Sequence, residues 1–458
     1  MRFIHWILAV CFFTASCDIV LIINVGGSLR VSQVFLILVC IAAGAHALQH
    51  GRILWPRGGT ALTVWLLSQL LFLPLSGVIS IGAQFFALLA FTIAGFFAVV
   101  QLYGRSSLVE PLMKIYLASY IFVGCFGLLQ FALPLAGLPS PFVQQWLLHG
   151  RLARISGFSY EPSYYATYLM MGWIMLVELR ISGARLTRGP LWIWSTAAVT
   201  LSLILSSSKT AWLFMLLEIF ARVLPVMWRK SLSALRQSRA GSLVLRLPPG
   251  RRVLSAFLSL AFLAFIGVLG VRTFGKIFTA DILLSGSGLA GTPAHSWIGR
   301  SEAAISTFDT FLDHPFVGRS LGGVPVYRAA RIGITVHSVE EVRLYWGFPV
   351  ILEVLVASGL IGIIPFLVFV YVNTVGVMRL ATRRWPEERA KWLRALGRAM
   401  IFECLLLMQD QNLLRVYLWY HVSMVAVIAY HLEFAPAPEP SAAPAPRSYP
   451  LLEASPLT

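Results

Sequence analysis

The sequence predicts an all-α membrane protein: a polytopic bundle of about twelve transmembrane helices with one large extramembrane loop containing short helices. Three observations carry that prediction. Apolar runs long enough to cross roughly 30 Å of hydrocarbon recur from residue 3 to residue 433. Of the 458 residues 58% are hydrophobic and 12% charged, with a mean hydropathy of +0.78, whereas soluble domains are nearer about a quarter charged. Lys and Arg sit mostly in short connectors between the apolar runs, so the net charge of +17 reads as the positive-inside pattern rather than as a nucleic-acid surface. Helices are expected instead of barrel strands because many runs exceed about ten residues and lack alternation.

Apolar windows between breakers place helices near 3–24, 31–50, 60–77, 81–102, 113–134, 162–180, 190–206, 210–228, 253–272, 347–375, 397–411 and 414–433. The 229–252 connector carries Arg229, Lys230, Arg236, Arg239, Arg246, Arg251 and Arg252 with no acid, and 379–398 carries Arg379, Arg383, Arg384, Arg389, Lys391, Arg394 and Arg398. Both are expected on the cytoplasmic side of a bacterial inner membrane. One helix on each side separates them from the polar segment 273–346, which is therefore expected in the periplasm. Counting outward puts Arg2, Arg52, Arg57, Arg105, Lys114, Arg180, Arg185 and Arg188 inside, with both termini cytoplasmic and an even helix count. Thr14-Ala15-Ser16-Cys17 faintly resembles a lipoprotein cleavage site, but removing the first helix would upset this charge pattern, so an uncleaved helix is expected. Residues 1–434 form the membrane domain, and the Pro- and Ala-rich tail 435–458 is expected to be cytoplasmic and disordered. Cys11, Cys17, Cys40, Cys125 and Cys404 all lie in apolar runs with no CxxC and no His at metal spacing, which predicts neither disulfides nor a metal site.

Basic residues on the expected periplasmic side have no orienting role and are the informative ones. They are Arg151 and Arg154, Lys209 after Ser206-Ser207-Ser208, Lys276, Arg300, Arg319, Arg328, Arg331 and Arg343 in the large loop, and Arg415 after Gln409-Asp410-Gln411-Asn412. Guanidinium and ammonium groups at a membrane boundary suit an anion such as a diphosphate headgroup, since Arg binds phosphate oxygens bidentately. Lipid phosphate, or Asp281, Asp309, Asp313, Glu340 and Glu341 of the same loop, would serve any single Arg equally well. His295, His314 and His337 lie in the loop and could act as a base; His314 follows a helical pattern and reads as a helix C-cap, whereas His337 has no such role. Asp18, Glu178, Glu218, Glu353 and Glu403 fall inside apolar runs without regular spacing, and interhelical hydrogen bonds are expected of them rather than an ion pathway.

Three segments stand out together, the first of them Arg154-Ile-Ser-Gly157-Phe-Ser-Tyr-Glu161-Pro162 entering the helix expected at 162–180 and the others around Asp313-His314-Pro315 and Gly359-Leu-Ile-Gly362. Together they resemble the O-antigen ligase and polymerase superfamily of membrane glycosyltransferases, the first being similar to its R-x-S-G-F-x-x-E-P stretch. Asp313-His314-Pro315-Phe-Val-Gly318 is similar to its D-H-P-h-x-G element, and Leu352-Glu353-Val-Leu-Val-Ala-Ser-Gly359-Leu-Ile-Gly362 to its L-x-x-G-L-h-G helix. The resemblance spans roughly 150–375. Lys209 stands where the family often has Arg, and His337 lies twenty-two residues (359 − 337) before Gly359, a longer separation than the family's.

The resemblance implies a metal-independent GT-C-type glycosyltransferase without a cofactor. Its donor is an undecaprenyl-diphosphate-linked glycan, its acceptor a glycan hydroxyl, and its partners include membrane lipid and a chain-length regulator or export proteins, not nucleic acid. His337 is then the catalytic base with Glu161 as the runner-up, and Arg154, Lys209, Arg300 and Arg319 are the diphosphate ligands. Polymerisation of repeat units into exopolysaccharide or O-antigen is preferred, because Glu161-Pro162-Ser163-Tyr164-Tyr165 looks more like the polymerases. The alternative within the family is an O-antigen ligase acting on lipid A-core. A small-solute transporter is the alternative of another class, although the two halves show no convincing self-similarity.

Overall fold

The structure is a computed structural model that describes residues 2–20, 22–24, 28–147, 152–237, 295–342, 344–408 and 413–434. It is all-α apart from two short antiparallel hairpins. In chain order the elements are α1 (Arg2–Phe13), β1 (Ile22–Asn24), β2 (Ser28–Arg30), α2 (Val31–His50), α3 (Gly59–Leu71), α4 (Ile79–Tyr103) and α5 (Val109–Leu135). Then come β3 (Gln145–Leu147), β4 (Leu152–Arg154), α6 (Pro162–Ile181), α7 (Pro190–Leu205) and α8 (Lys209–Gln237). The loop region folds as α9 (His295–Asp313), α10 (Ser320–Arg331) and α11 (Val339–Val342). A π-turn over Val372–Gly376 joins α12 (Val350–Tyr371) to α13 (Val377–Arg383), and α14 (Glu388–Leu406) and α15 (Val416–Phe434) close the bundle.

Within the described residues each apolar window of the sequence produces a helix, because a segment in lipid or in a dry core must satisfy its own backbone groups. The window at 253–272 lies outside the described residues. Two expectations change. The run 3–24 is not one helix: α1 ends at Phe13, Thr14 turns its hydroxyl back to the Val10 carbonyl at 2.7 Å, and Asp18 pairs with Arg30 and Arg415. A buried carboxylate requires partners, and these lie beyond the end of α1, one on β2 and one just before α15.

The second change is the span count. Four described helical segments are long and apolar enough to cross a membrane, Val31–His50, Ile79–Tyr103, Val109–Leu135 and Val350–Arg383, and not twelve; α1, α3 and α7 contain apolar stretches that are shorter. The physical reason is visible in α6 and α15, which are buried along nearly their whole length. A helix wrapped by protein contacts other side chains instead of lipid, so it tolerates Tyr417, Trp419, Tyr420 and His421 where a lipid-facing helix would hold aliphatics. The protein is a multi-pass membrane protein with four candidate spans.

Helix α6 packs on α14, α15 on α4 and α14, and α10 lies across α4 and α12. One end of this core is tied by charge, with interhelical bonds of the kind the sequence predicts for Glu178 and Glu218. Arg394 Nε meets Glu178 Oε1 at 2.8 Å and Arg222 Nη1 meets Glu178 Oε2 at 2.7 Å. Arg398 grips Glu218 through Nε at 2.7 Å and Nη2 at 2.9 Å, and Arg222 also pairs with Glu218. Helices α6, α8 and α14 are thereby joined through two buried carboxylates.

Candidate functional site

The three segments singled out in the sequence are structural joints at the other end of the core. Gly318 and Gly359 let two backbones touch: a Cβ on Gly359 would stand 2.4 Å from the Phe316 carbonyl oxygen, and one on Gly318 2.0 Å from that of Ala357. Gly359 interrupts α12 at φ +61 and ψ −178, a conformation that requires glycine. The Leu360 N–H then donates to the Pro315 carbonyl at 2.9 Å and the Arg319 N–H to that of Val356 at 3.1 Å. So the Asp-His-Pro turn docks on the kink of α12 and sets where the first turn of α12 and α10 meet.

The Arg-Ile-Ser-Gly segment is held in the same manner. Gln130 on α5 accepts the N–H groups of Ser156 and Gly157, both at 3.0 Å, and Gly157 at φ +57 lies under the Tyr165 ring. The Phe158 carbonyl in turn accepts the N–H groups of Asp18 at 2.9 Å and Ile19 at 3.2 Å. The segment therefore positions Asp18.

Between these joints opens a cavity of about 680 Å³, within the range of ordinary ligand pockets. On one wall Asp18 Oδ1 is shared by Arg30 Nη2 at 3.0 Å and by Arg415. The Arg415 guanidinium also lies over the Tyr164 ring, 4.3 Å from its centroid. Tyr160, Phe85 and Trp346 supply aromatic faces, the last two with ring centroids 5.1 Å apart. His337 and Glu340 stand exposed on the wall, and Glu353, 2% exposed, is part of the lining. Aromatic faces beside carboxylates, an imidazole and guanidiniums can bind a saccharide carrying an anionic group.

Of the six residues picked from the sequence, His337 alone lines this cavity. Its backbone N–H donates to Glu341 Oε2 at 2.8 Å, and that bond with the Ser338 hydroxyl holds the Glu341 carboxyl below its ordinary range. Arg154 spends its guanidinium on the end of α7: Nε on the Ser206 carbonyl and Nη2 on that of Ser207, both at 3.2 Å, with Nη1 on Gln145 Oε1 at 2.6 Å. That is capping of a helix C-terminus. Burial lowers the Arg154 pKa while Glu161 opposes the shift; Lys209 is lowered by burial and by Arg154. Glu161 is exposed at the start of α6 and accepts the Ser163 hydroxyl at 3.0 Å.

Arg300 is half-buried on α9, and Arg319 stands at the N-cap position of α10 without a side-chain capping bond, its guanidinium 4.8 Å above the Tyr327 ring. Arg331 pairs with Asp309 and Asp313, the use within its own loop that the sequence left open. His314 follows α9 directly, its ring 5.9 Å from Tyr327 and its pKa lowered by burial and Arg319. Arg151, Lys276, Arg343 and Gln409–Asn412 lie outside the described residues.

The structure adds Arg30, Arg415 and Glu353 to the candidates. Arg30 carried a usable signal, since it falls in a connector that the helix count assigns to the periplasm and so has no orienting role. Arg415 and Glu353 were visible as a basic residue in the last such turn and an acid in an apolar run. Against known proteins, the chain matches no family model and no curated protein.

Proposed function

We propose that the chain is a polysaccharide polymerase that joins undecaprenyl-diphosphate-linked oligosaccharide repeat units at the periplasmic face of the inner membrane. The observation that carries this reading is the cavity, which combines two guanidiniums on one carboxylate oxygen with aromatic faces and acid–base groups. The donor's diphosphate docks at Arg30 and Arg415, which stabilise its growing charge as the lipid leaves. The acceptor sugar lies against Tyr160, Trp346 and Phe85. Sidedness rests on the basic connectors: with 229–252 and 379–398 inside, the cavity end faces outward.

Deletion of the gene from its own cell tests the reading. A polymerase predicts loss of high-mass polysaccharide and accumulation of single lipid-linked repeat units. Long chains that stay lipid-linked would instead mark a ligase, and intact polymer with lost solute uptake would mark a transporter.

A further inference from the structure

The cavity contains four groups able to take a proton, and the structure separates them. Asp18 is committed to two guanidiniums, and a carboxylate so paired is a weak base. Glu340 and His337 are exposed on the wall. Glu353 differs from all three. It sits in the first turn of α12 on the cavity lining, almost wholly buried, with the Gly347 backbone N–H and the Arg328 charge nearby. Its Oε1 has no hydrogen-bond partner among the described residues. Gly347 presses directly on this side chain: a Cβ there would stand 2.7 Å from Glu353 Cβ and 2.8 Å from Cγ. A buried acceptor without a donor is costly unless a ligand supplies one.

Resting on the polymerase reading, we propose that Glu353 is the catalytic base, its Oε1 receiving the acceptor sugar's attacking hydroxyl. The acceptor oxygen forms its bond to the donor's anomeric carbon, and the hydroxyl proton passes to Oε1. The bond from that carbon to the phosphate oxygen breaks, and its electron pair leaves with the diphosphate. Arg328 balances the carboxylate before the transfer, and Gly347 leaves room for the side chain. His337 then shapes the entrance without taking the proton.

The test is complementation of the gene deletion in its own cell with full-length variants, scoring polymer, lipid-linked repeat units and membrane level of the protein. Glu353→Gln keeps the shape but cannot take the proton, so it should reduce polymer about a hundred- to ten-thousand-fold at normal protein level. Glu353→Asp keeps the carboxylate and should restore measurable polymer. Near-normal polymer from Glu353→Gln, or loss in Glu353→Asp and Glu353→Gln alike, would overturn the assignment to Glu353 while leaving the polymerase reading standing. Polymer made without the parent chain would remove that reading itself.

Discussion

The two ends of the core use the same residue types to opposite effect. Tyr164 and Glu178 lie fourteen residues apart on α6, about 21 Å at 1.5 Å per residue, and mark the two ends. At the Glu178 end all four oxygens of two carboxylates are met by Arg222, Arg394 and Arg398. At the Tyr164 end a single oxygen of Asp18 is divided between Arg30 and Arg415, and the group faces a cavity. Arginine near a membrane boundary is therefore uninformative by itself. What distinguishes the two groups is that the ion pairs of one close on each other inside the core while those of the other line a cavity.

The largest effect that would break this comparison belongs to the saturated end. Glu218→Gln leaves Arg398 and Arg222 without their shared carboxylate in a buried place and should cost about 3–5 kcal/mol of stability. Thermal unfolding of the detergent-purified chain measures it. Polymer yield per folded molecule should hold, and lost polymer without lost stability would erase the distinction between the ends.

A smaller and opposite effect is expected at the cavity. Arg415→Lys keeps the charge but loses the planar fork and much of the stacking on Tyr164, so polymer should fall at least about tenfold. The unfolding midpoint should move little, because Arg415 is partly exposed and Arg30 still meets Asp18. A large drop in midpoint with normal polymer would make the cavity triad another tie.

Much of the helix layout was legible, because apolar runs and the scarcity of charge leave a chain few alternatives to helices. The end of α1 was not. Asp18 lies in an apolar run and becomes intelligible with its partners Arg30 and Arg415, the latter 397 positions away (415 − 18), and no periodicity encodes that pair. The span number misled for a related reason: hydropathy measures fitness for lipid, and α15 is buried by protein. Within the site, the three short motifs were visible as motifs, but that Gly318 and Gly359 meet backbone to backbone was not. Arg154 shows the converse, since its conspicuous place in a motif goes with carbonyl capping at the end of α7. Glu353 was one of five acids in apolar runs, and only packing separates it from Glu178 and Glu218, whose carboxylates are closed by arginines.

The most direct test places a photo-crosslinking amino acid in turn at Trp346, on the cavity wall, and at Trp385, whose ring lies 5.4 Å from the Arg394 guanidinium at the saturated end. Irradiation in membranes of the protein's own cell, followed by mass analysis of the adducts, reports which end holds the lipid-linked glycan. The account predicts a glycan-bearing adduct at position 346 and none at 385. Equal labelling of both positions, or glycan captured at 385 alone, would contradict it.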